Sequence, residues 1–186
     1  MSEDKQVGSN ATRVRLEELV PNDFPSVRPW IDPDIFPIFR EPVDDEQLER
    51  LLTKHEDGRP TSLGYRIVLR QSAQLVGLVH AILDWKNHLA HVGQIVVGDP
   101  TLRNQGLGTE SLRLLLGICF DRVGVHRAQL FVDEPNVAAV ACYKKAGFVV
   151  EGLMREASRR KGAYVSWYSM SMLRREWQDS CTGRDG

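Results

Sequence analysis

The sequence has few cysteines, no long apolar run and no excess of charge of one sign. Its 3 cysteines, Cys119, Cys142 and Cys181, are widely spaced and form no Cys-x-x-Cys pair, which indicates neither a disulfide framework nor a zinc site. No apolar run approaches the roughly 20 residues that span a membrane. With 24 Lys plus Arg against 25 Asp plus Glu, the chain lacks the basic excess of general nucleic-acid and membrane-surface binders.

The chain also lacks internal repeats, low-complexity linkers and an apolar leader. Residues 1–10 are polar, so we expect a cytoplasmic protein without nucleic-acid or membrane partners. A chain of 186 residues is long enough to bury one apolar core without disulfides or metals. We expect a disordered N-terminus at residues 1–11, one domain at residues 12–177 and a disordered tail at residues 178–186.

Two apolar periods alternate along the chain and predict a mixed α/β (α+β) architecture. Apolar residues three and four apart predict helices at residues 106–123 and 136–146. Asp44 or Asp45 is suited to cap a further helix that runs to about residue 56. Alternating apolar residues predict strands at residues 12–19, 64–70, 74–84, 88–98, 128–133, 148–157 and 163–173.

A glycine-rich loop lies between a predicted strand and the apolar stripe of the next helix. Gly106 and Gly108 in this loop would let backbone N–H groups at the start of the helix approach a phosphate. The phosphate-loop lysine motif is absent, and Ser111 stands where a dinucleotide-binding fingerprint has a third glycine. A glycine-rich turn that merely enters a helix is the alternative interpretation.

A second motif follows about thirty residues later, on the predicted helix at residues 136–146. Asn136 is suited to N-capping and Gly147 to a left-handed C-cap. Asn136 and Tyr143 are seven residues apart, close to two helical turns, so both side chains project from the same face. An amide and a phenol delivered to the glycine loop would explain both spacings, whereas a core role for Tyr143 is the alternative.

Together these motifs resemble the GCN5-related N-acetyltransferase (GNAT) superfamily. Its acetyl-CoA signature, Gln/Arg-x-x-Gly-x-Gly/Ala, is matched by Arg103, Gly106 and Gly108, and its later Asn-(x)6-Tyr-(x)3-Gly-Phe segment ends here at Gly147-Phe148. The resemblance covers about residues 12–175, and residues 147–156 are similar to ribosomal-protein N-terminal and spermidine N-acetyltransferases. It implies a single GNAT-like domain, in which about four helices flank a mixed, mostly antiparallel sheet of six to seven strands.

The resemblance also implies a ligand and a reaction. Central strands that splay apart would bind acetyl-CoA, the acyl donor, and a primary amine would attack the thioester directly, without a metal. Tyr143 corresponds to the general acid that protonates the leaving sulfur. The implied cofactor-binding residues are Ile95, Val96 and Val97 on the strand, Arg103, Asn104, Gln105, Gly106, Leu107, Gly108 and Thr109 in the loop, and Asn136 and Tyr143 on the later helix.

The general base does not follow from the motifs. Val92 and Phe131 occupy the positions at which some family members carry a glutamate. A water relay is one alternative, and a side chain near the predicted site is the other, for which the candidates are Asp84, His91, Asp133 and Glu134.

The sequence leaves two alternatives for the acceptor amine: a small-molecule amine or polyamine, and the N-terminal amine of a protein. The acidic stretch at residues 39–46 would attract a cation, or it forms only a solvated helix start. A non-catalytic acyl-CoA sensor, a different acyl-CoA or acceptor, and a dinucleotide-binding oxidoreductase are the rival functions, and the resemblance leaves a homodimer open. The aromatic residues that could line an acceptor pocket, or serve the core, are Trp30, Phe36, Phe39, Trp85 and Trp167.

Overall fold

The structure, a computed structural model, describes residues 12–33 and 42–182. Phe36, Phe39, the start of the acidic stretch and the predicted disordered residues 1–11 lie outside this part of the chain. The strands are β1 (Val14–Glu18), β2 (Lys54–Glu56), β3 (Arg59–Leu69), β4 (Leu75–Asp84), β5 (Leu89–Val97), β6 (Arg127–Asp133), β7 (Val149–Arg160) and β8 (Ala163–Leu173). The α-helices are α1 (Phe24–Val27), α2 (Asp45–Leu48), α3 (Leu107–Gly117), α4 (Val137–Ala146) and α5 (Arg174–Thr182).

All eight strands form one sheet in the order β1-β3-β4-β5-β6-β8-β7, with β2 paired to β3. Every neighbouring pair is antiparallel except β5 and β6, which are parallel. The predicted mixed, mostly antiparallel sheet is therefore confirmed, with one more strand and one more helix than expected. No helix in the described ranges is long and apolar enough to cross a membrane.

Two apolar clusters cover opposite faces of the sheet. Val79 of β4 belongs to the cluster that contains the buried stripe of α3. The preceding residue of β4, Leu78, belongs to a second cluster. This cluster also contains Phe24 and Leu48, which lie in the short helices α1 and α2. Successive strand residues point to opposite faces, so these short helices cover one face of β4 and α3 covers the other. We call the face of Leu78 the front face.

The helix predicted from Asp44 or Asp45 to about residue 56 is wrong beyond its first turns. Asp44 does cap α2, since its Oδ1 accepts a hydrogen bond from the Gln47 N–H at 2.8 Å. A 3₁₀ turn then ends at Leu51, and β2 follows. The reason is the Asp57-Gly58 pair, whose φ angles of 50° and 75° form the tight left-handed turn of a β-hairpin.

The C-terminal helix α5 runs to Thr182, past the predicted start of a disordered tail at residue 178. Trp177 is buried and stacks on Phe120 with ring centroids 5.9 Å apart. Its indole N–H donates to the Asp121 carboxylate at 3.0 Å, and the Arg113 guanidinium lies 5.5 Å from its ring. These contacts hold the polar helix α5 against α3 and the residues that follow α3.

Candidate functional site

The parallel strands β5 and β6 separate partway along their length. They pair only at Leu89 with Arg127, Ala90 with Ala128, and His91 with Gln129. Both strands continue beyond these pairs, β5 to Val97 and β6 to Asp133. A wedge-shaped gap therefore opens toward the carboxyl ends of the two strands, as the resemblance implied for the sheet.

A β-bulge bends β5 beside this gap. Residues Gly93 and Gln94 of β5 lie opposite the single residue His80 of β4, between the pairs Ala81–Val92 and Val79–Ile95. Bulges are common next to active sites because they re-aim the backbone and side chains of one strand. Here the bulge turns the second half of β5 away from β6.

The backbone of β5 beyond the bulge presents two of the three predicted residues to the gap. The Gly98 N–H donates to the Val76 carbonyl at 2.8 Å. In an antiparallel pair every second residue hydrogen-bonds to the partner strand, so this bond shows which residues of β5 are paired with β4. The backbone groups of Ile95 and Val97 thus face the gap, whereas those of Val96 face β4. The Val97 carbonyl accepts a hydrogen bond from Arg103, so the backbone groups of Ile95 and the N–H of Val97 are the ones that can bond the amides of an extended ligand.

The glycine loop forms the wide end of the gap and enters α3. Gly106 has φ of 87°, a conformation that favours glycine, and as N-cap it offers no side chain to the helix. The first N–H groups of α3, at Leu107, Gly108 and Thr109, have no acceptor within the helix. They therefore point out of the helix start, where the helix dipole favours an anion.

The side chains of the loop stabilise its shape. The Arg103 guanidinium donates to the carbonyls of Val97 and Gly98 at 2.9 and 3.0 Å, which ties the loop to the end of β5. The Gln105 amide donates to the Thr101 carbonyl at 2.7 Å. Asn104 has φ of 60°, a second left-handed residue in the loop. The ligand-facing groups of the loop are thus its backbone N–H groups.

A positive side chain that the sequence did not reveal lies beside the loop. Arg13, next to the start of β1, donates to the Gln105 carbonyl at 2.6 Å and through Nε to the Glu110 carboxylate at 2.8 Å. A Cβ built at Gly106 would lie 3.3 Å from the Arg13 guanidinium. Arg13 is some 90 residues from the loop in sequence, so no local pattern pointed to it.

Helix α4 packs against the start of α3, beside the gap. The Thr109 hydroxyl lies 3.3 Å from the Cys142 thiol, and a Cβ built at Gly108 would lie 3.7 Å from that sulfur and 3.9 Å from Val97. Asn136 caps α4 through Oδ1, which accepts from the Ala139 N–H at 3.2 Å. The structure thus brings β5, the glycine loop and α4 together, as the two sequence motifs predicted.

Tyr143 is the residue of α4 that follows Cys142. Its ring is partly buried and lies 6.2 Å from that of Phe148. Burial raises the pKa of the Tyr143 phenol above its ordinary value of 10.0. No group in residues 12–33 or 42–182 hydrogen-bonds to its hydroxyl, so a protonated phenol remains available for a ligand.

The predicted base candidates occupy different positions. Asp84 lies at the far end of the β4–β5 hairpin, where its carboxylate accepts hydrogen bonds from Asn87 at 2.7 and 3.1 Å that lower its pKa. Asp133 pairs with Arg160 at 3.3 Å, and Glu134 is exposed. None of these three carboxylates lies at the narrow end of the gap.

His91 does lie at the narrow end, but the lone pair of its Nδ1 already accepts a hydrogen bond from Gln129. Its Nδ1 is 2.9 Å from Nε2 of Gln129, and the Gln129 Oε1 accepts from Arg127 at 3.3 Å. Because this arrangement makes the Gln129 amide the donor to Nδ1, the neutral His91 ring carries its proton on Nε2. His91 therefore has no free lone pair toward the gap.

Comparison with known proteins identifies the family. Residues 24–148, which include the separated strands, the loop and α4, match the sequence profile of the Acetyltransferase (GNAT) family. The chain belongs to the GNAT family. Its resemblance to that family is confirmed, and spermidine N-acetyltransferases are among the similar proteins in both sequence and structure.

The GNAT relatives differ in the amines that their names record. The chain is 32% identical over 89 residues to the L-amino acid N-acetyltransferase AaaT of Escherichia coli K12. These aligned residues make up 48% of this chain and 54% of that protein. The chain therefore spans about half the length of that relative. It is 26% identical over 140 residues to the spermidine N(1)-acetyltransferase of the same strain, covering 75% of this chain and 73% of that enzyme.

The solved structures confirm the GNAT fold. The spermidine N-acetyltransferase of Vibrio cholerae, solved in complex with CoA and spermine, superposes with a TM-score of 0.77 at 22% sequence identity. The match covers 89% of this chain and 98% of that one.

Proposed function

We propose that this GNAT protein transfers the acetyl group of acetyl-CoA to a primary amine. The observation that carries the proposal is the gap between β5 and β6, which has a hydrogen-bonding strand edge on one side and unpaired N–H groups of α3 at its wide end. A thioester on a long amide-containing arm that ends in a pyrophosphate fits both features. The acceptor would approach from the front face.

The glycine loop and β5 would hold acetyl-CoA. Backbone N–H groups of Gly106, Leu107, Gly108 and Thr109 would bind the pyrophosphate, helped by the helix dipole. Arg13, whose charge is paired with Glu110, would help by holding the loop through the Gln105 carbonyl. Ile95 and Val97 would bond the pantetheine amides. Arg103 and Gln105 would act indirectly, through the hydrogen bonds that stabilise the shape of the loop. Val96 would pair β5 with β4. Asn136 would contribute from the cap of α4.

Tyr143 would serve as the general acid. The amine nitrogen forms a bond to the thioester carbon, the carbon–sulfur bond breaks, and the sulfur takes the phenolic proton. The ammonium proton must leave before attack. A water relay is our proposal for this step, because the carboxylate candidates are paired or remote and His91 lacks a free lone pair.

An amine panel assayed by release of CoA thiol tests the proposal. The panel contains spermidine, L-phenylalanine, a peptide with a free N-terminus and an aminoglycoside, and each is matched by its fully N-acetylated form as the control. We expect turnover with at least one primary amine and none with its N-acetylated form. Turnover only with an alcohol, or only with a different acyl-CoA, would contradict the acceptor or donor assignment.

The proposal includes a cytoplasmic location and leaves room for a homodimer. Cys119, Cys142 and Cys181 are all free, which is typical of a reducing compartment. The homodimer rests on the family resemblance alone, and size-exclusion chromatography with light scattering would measure it.

A further inference from the structure

His80 is a buried polar residue in the middle of β4, on the front face. It is 1% exposed and lies two residues after Leu78 on β4, so its side chain points to the same face of the sheet. The backbone of Arg50, between α2 and β2, lies near its ring. Burial lowers the pKa of the His80 imidazole to about 4; the Gln94 side chain and the Arg50 backbone lie near the ring without ordinary hydrogen-bond geometry and offset this effect only in part. The ring is therefore neutral at physiological pH, with one nitrogen that can only accept a hydrogen bond.

Three buried polar atoms meet at this point without partners. Among the described residues, neither ring nitrogen of His80 has a hydrogen-bond partner, and neither does Oε1 of Gln94. Gln94 is 4% exposed and belongs to the bulge directly opposite His80. Buried polar groups are almost always paired, so an unpaired cluster is a candidate for contact with a ligand.

The unpaired atoms lie next to the gap. A Cβ built at Gly93 would come within 3.2 Å of His80 Nδ1, and Gly93 itself is exposed. A side chain at Gly93, on the exposed side of the bulge, would therefore press directly against the His80 ring. The same bulge separates the paired half of β5 from the half that faces the gap.

We propose that His80 and Gln94 bind the acceptor amine by accepting hydrogen bonds from its N–H groups. A neutral imidazole nitrogen and a carboxamide oxygen are both acceptors, and a primary amine supplies two or three donors. Two such acceptors beside the bulge would hold the nitrogen with its lone pair toward the thioester. This inference rests on the proposed acetyl transfer and adds the polar contacts that select an amine.

Substitutions of His80 test the inference with the intact chain. His80→Leu removes both unpaired ring nitrogens, so we expect an acceptor KM at least about tenfold higher, measured with spermidine and L-phenylalanine. The affinity for acetyl-CoA should stay within twofold, and the melting temperature should be equal to or above that of the wild type. His80→Asn keeps an amide near Nδ1 and should restore most of the acceptor affinity.

Gly93 provides a second test that leaves His80 in place. Gly93→Ala puts a methyl group against Nδ1 and should raise the acceptor KM as His80→Leu does. Gly152→Ala is the matched control, because a Cβ there meets nothing within 4 Å, and it should leave the KM unchanged.

Equal acceptor KM values for the wild type, His80→Leu and Gly93→Ala would overturn the inference. A loss of acetyl-CoA affinity in both His80 variants would also overturn it, since that result indicates a structural role. Failure of the proposed function would look different, because the wild-type protein would then release no CoA with any amine.

Discussion

Tyr143 is the side chain with the most direct chemical role in the proposed reaction. Tyr143→Phe keeps the ring contact with Phe148 and removes only the hydroxyl. We expect kcat to fall about 100-fold, the lower end of the range for general acids, because a thiolate is a fair leaving group. Tyr164→Phe, on an exposed tyrosine in the β7–β8 hairpin, is the control and should keep wild-type kcat.

The pH profile of the wild type adds to this test. The raised pKa of Tyr143 keeps its phenol protonated as the pH rises through 9, so kcat should not fall over that range from loss of this acid. An unchanged kcat in Tyr143→Phe would show that the phenol is not the acid, whereas acetyl-CoA binding without turnover of any amine would favour an acyl-CoA sensor.

Candidate site residues could be recognised from the sequence where they belong to a short motif with a fixed spacing. Tyr143, Asn136 and the loop glycines were recognisable because each motif occupies one short segment. Arg13 and His80 were not, because the roles proposed for them depend on neighbours distant in sequence: Gln105 in the loop for Arg13, and Gln94 in the β5 bulge for His80. The role of Val96 was also hidden, since the strand pattern does not say which backbone edge is already paired.

At the scale of elements, the turn from β5 into α3 should depend on the left-handed glycine at its start. Gly106 and Gly162 both have φ of 87°, so an alanine at either position costs about 1 kcal/mol of unfolding free energy through the same backbone strain. We expect only Gly106→Ala to lower acetyl-CoA affinity, by at least tenfold, as measured by calorimetric titration. Equal affinities in the two variants would show that the loop does not bind the ligand.

The elements themselves were largely predictable from apolar periods and caps. The α3 and α4 helices and the β3 to β5 meander follow their sequence patterns closely. The hairpin of β2 was predictable from Asp57-Gly58 but was mistaken for a helix end. The helical end of α5 was not predictable, because its polar sequence is held in place by Trp177 against Phe120 and Asp121.

At the scale of the whole molecule, a nearly neutral chain is proposed to bind a polyanion. The formal net charge is −1, so attraction for the phosphates must be local. In the proposed function, the backbone N–H groups at the start of α3 would provide it, because the charge of the adjacent Arg13 is paired with Glu110. The composition could exclude a general polyanion binder and could not exclude this specific one.

The central claim is that acetyl-CoA binds the folded chain, and thermal unfolding in its presence tests that claim most directly. A ligand at 100 times its Kd stabilises a protein by about 2.7 kcal/mol, which for a chain of this length is roughly 5–10 °C in Tm. We predict a concentration-dependent rise of this size with acetyl-CoA and none with NAD⁺. No rise with millimolar acetyl-CoA, or an equal rise with NAD⁺, would contradict the account.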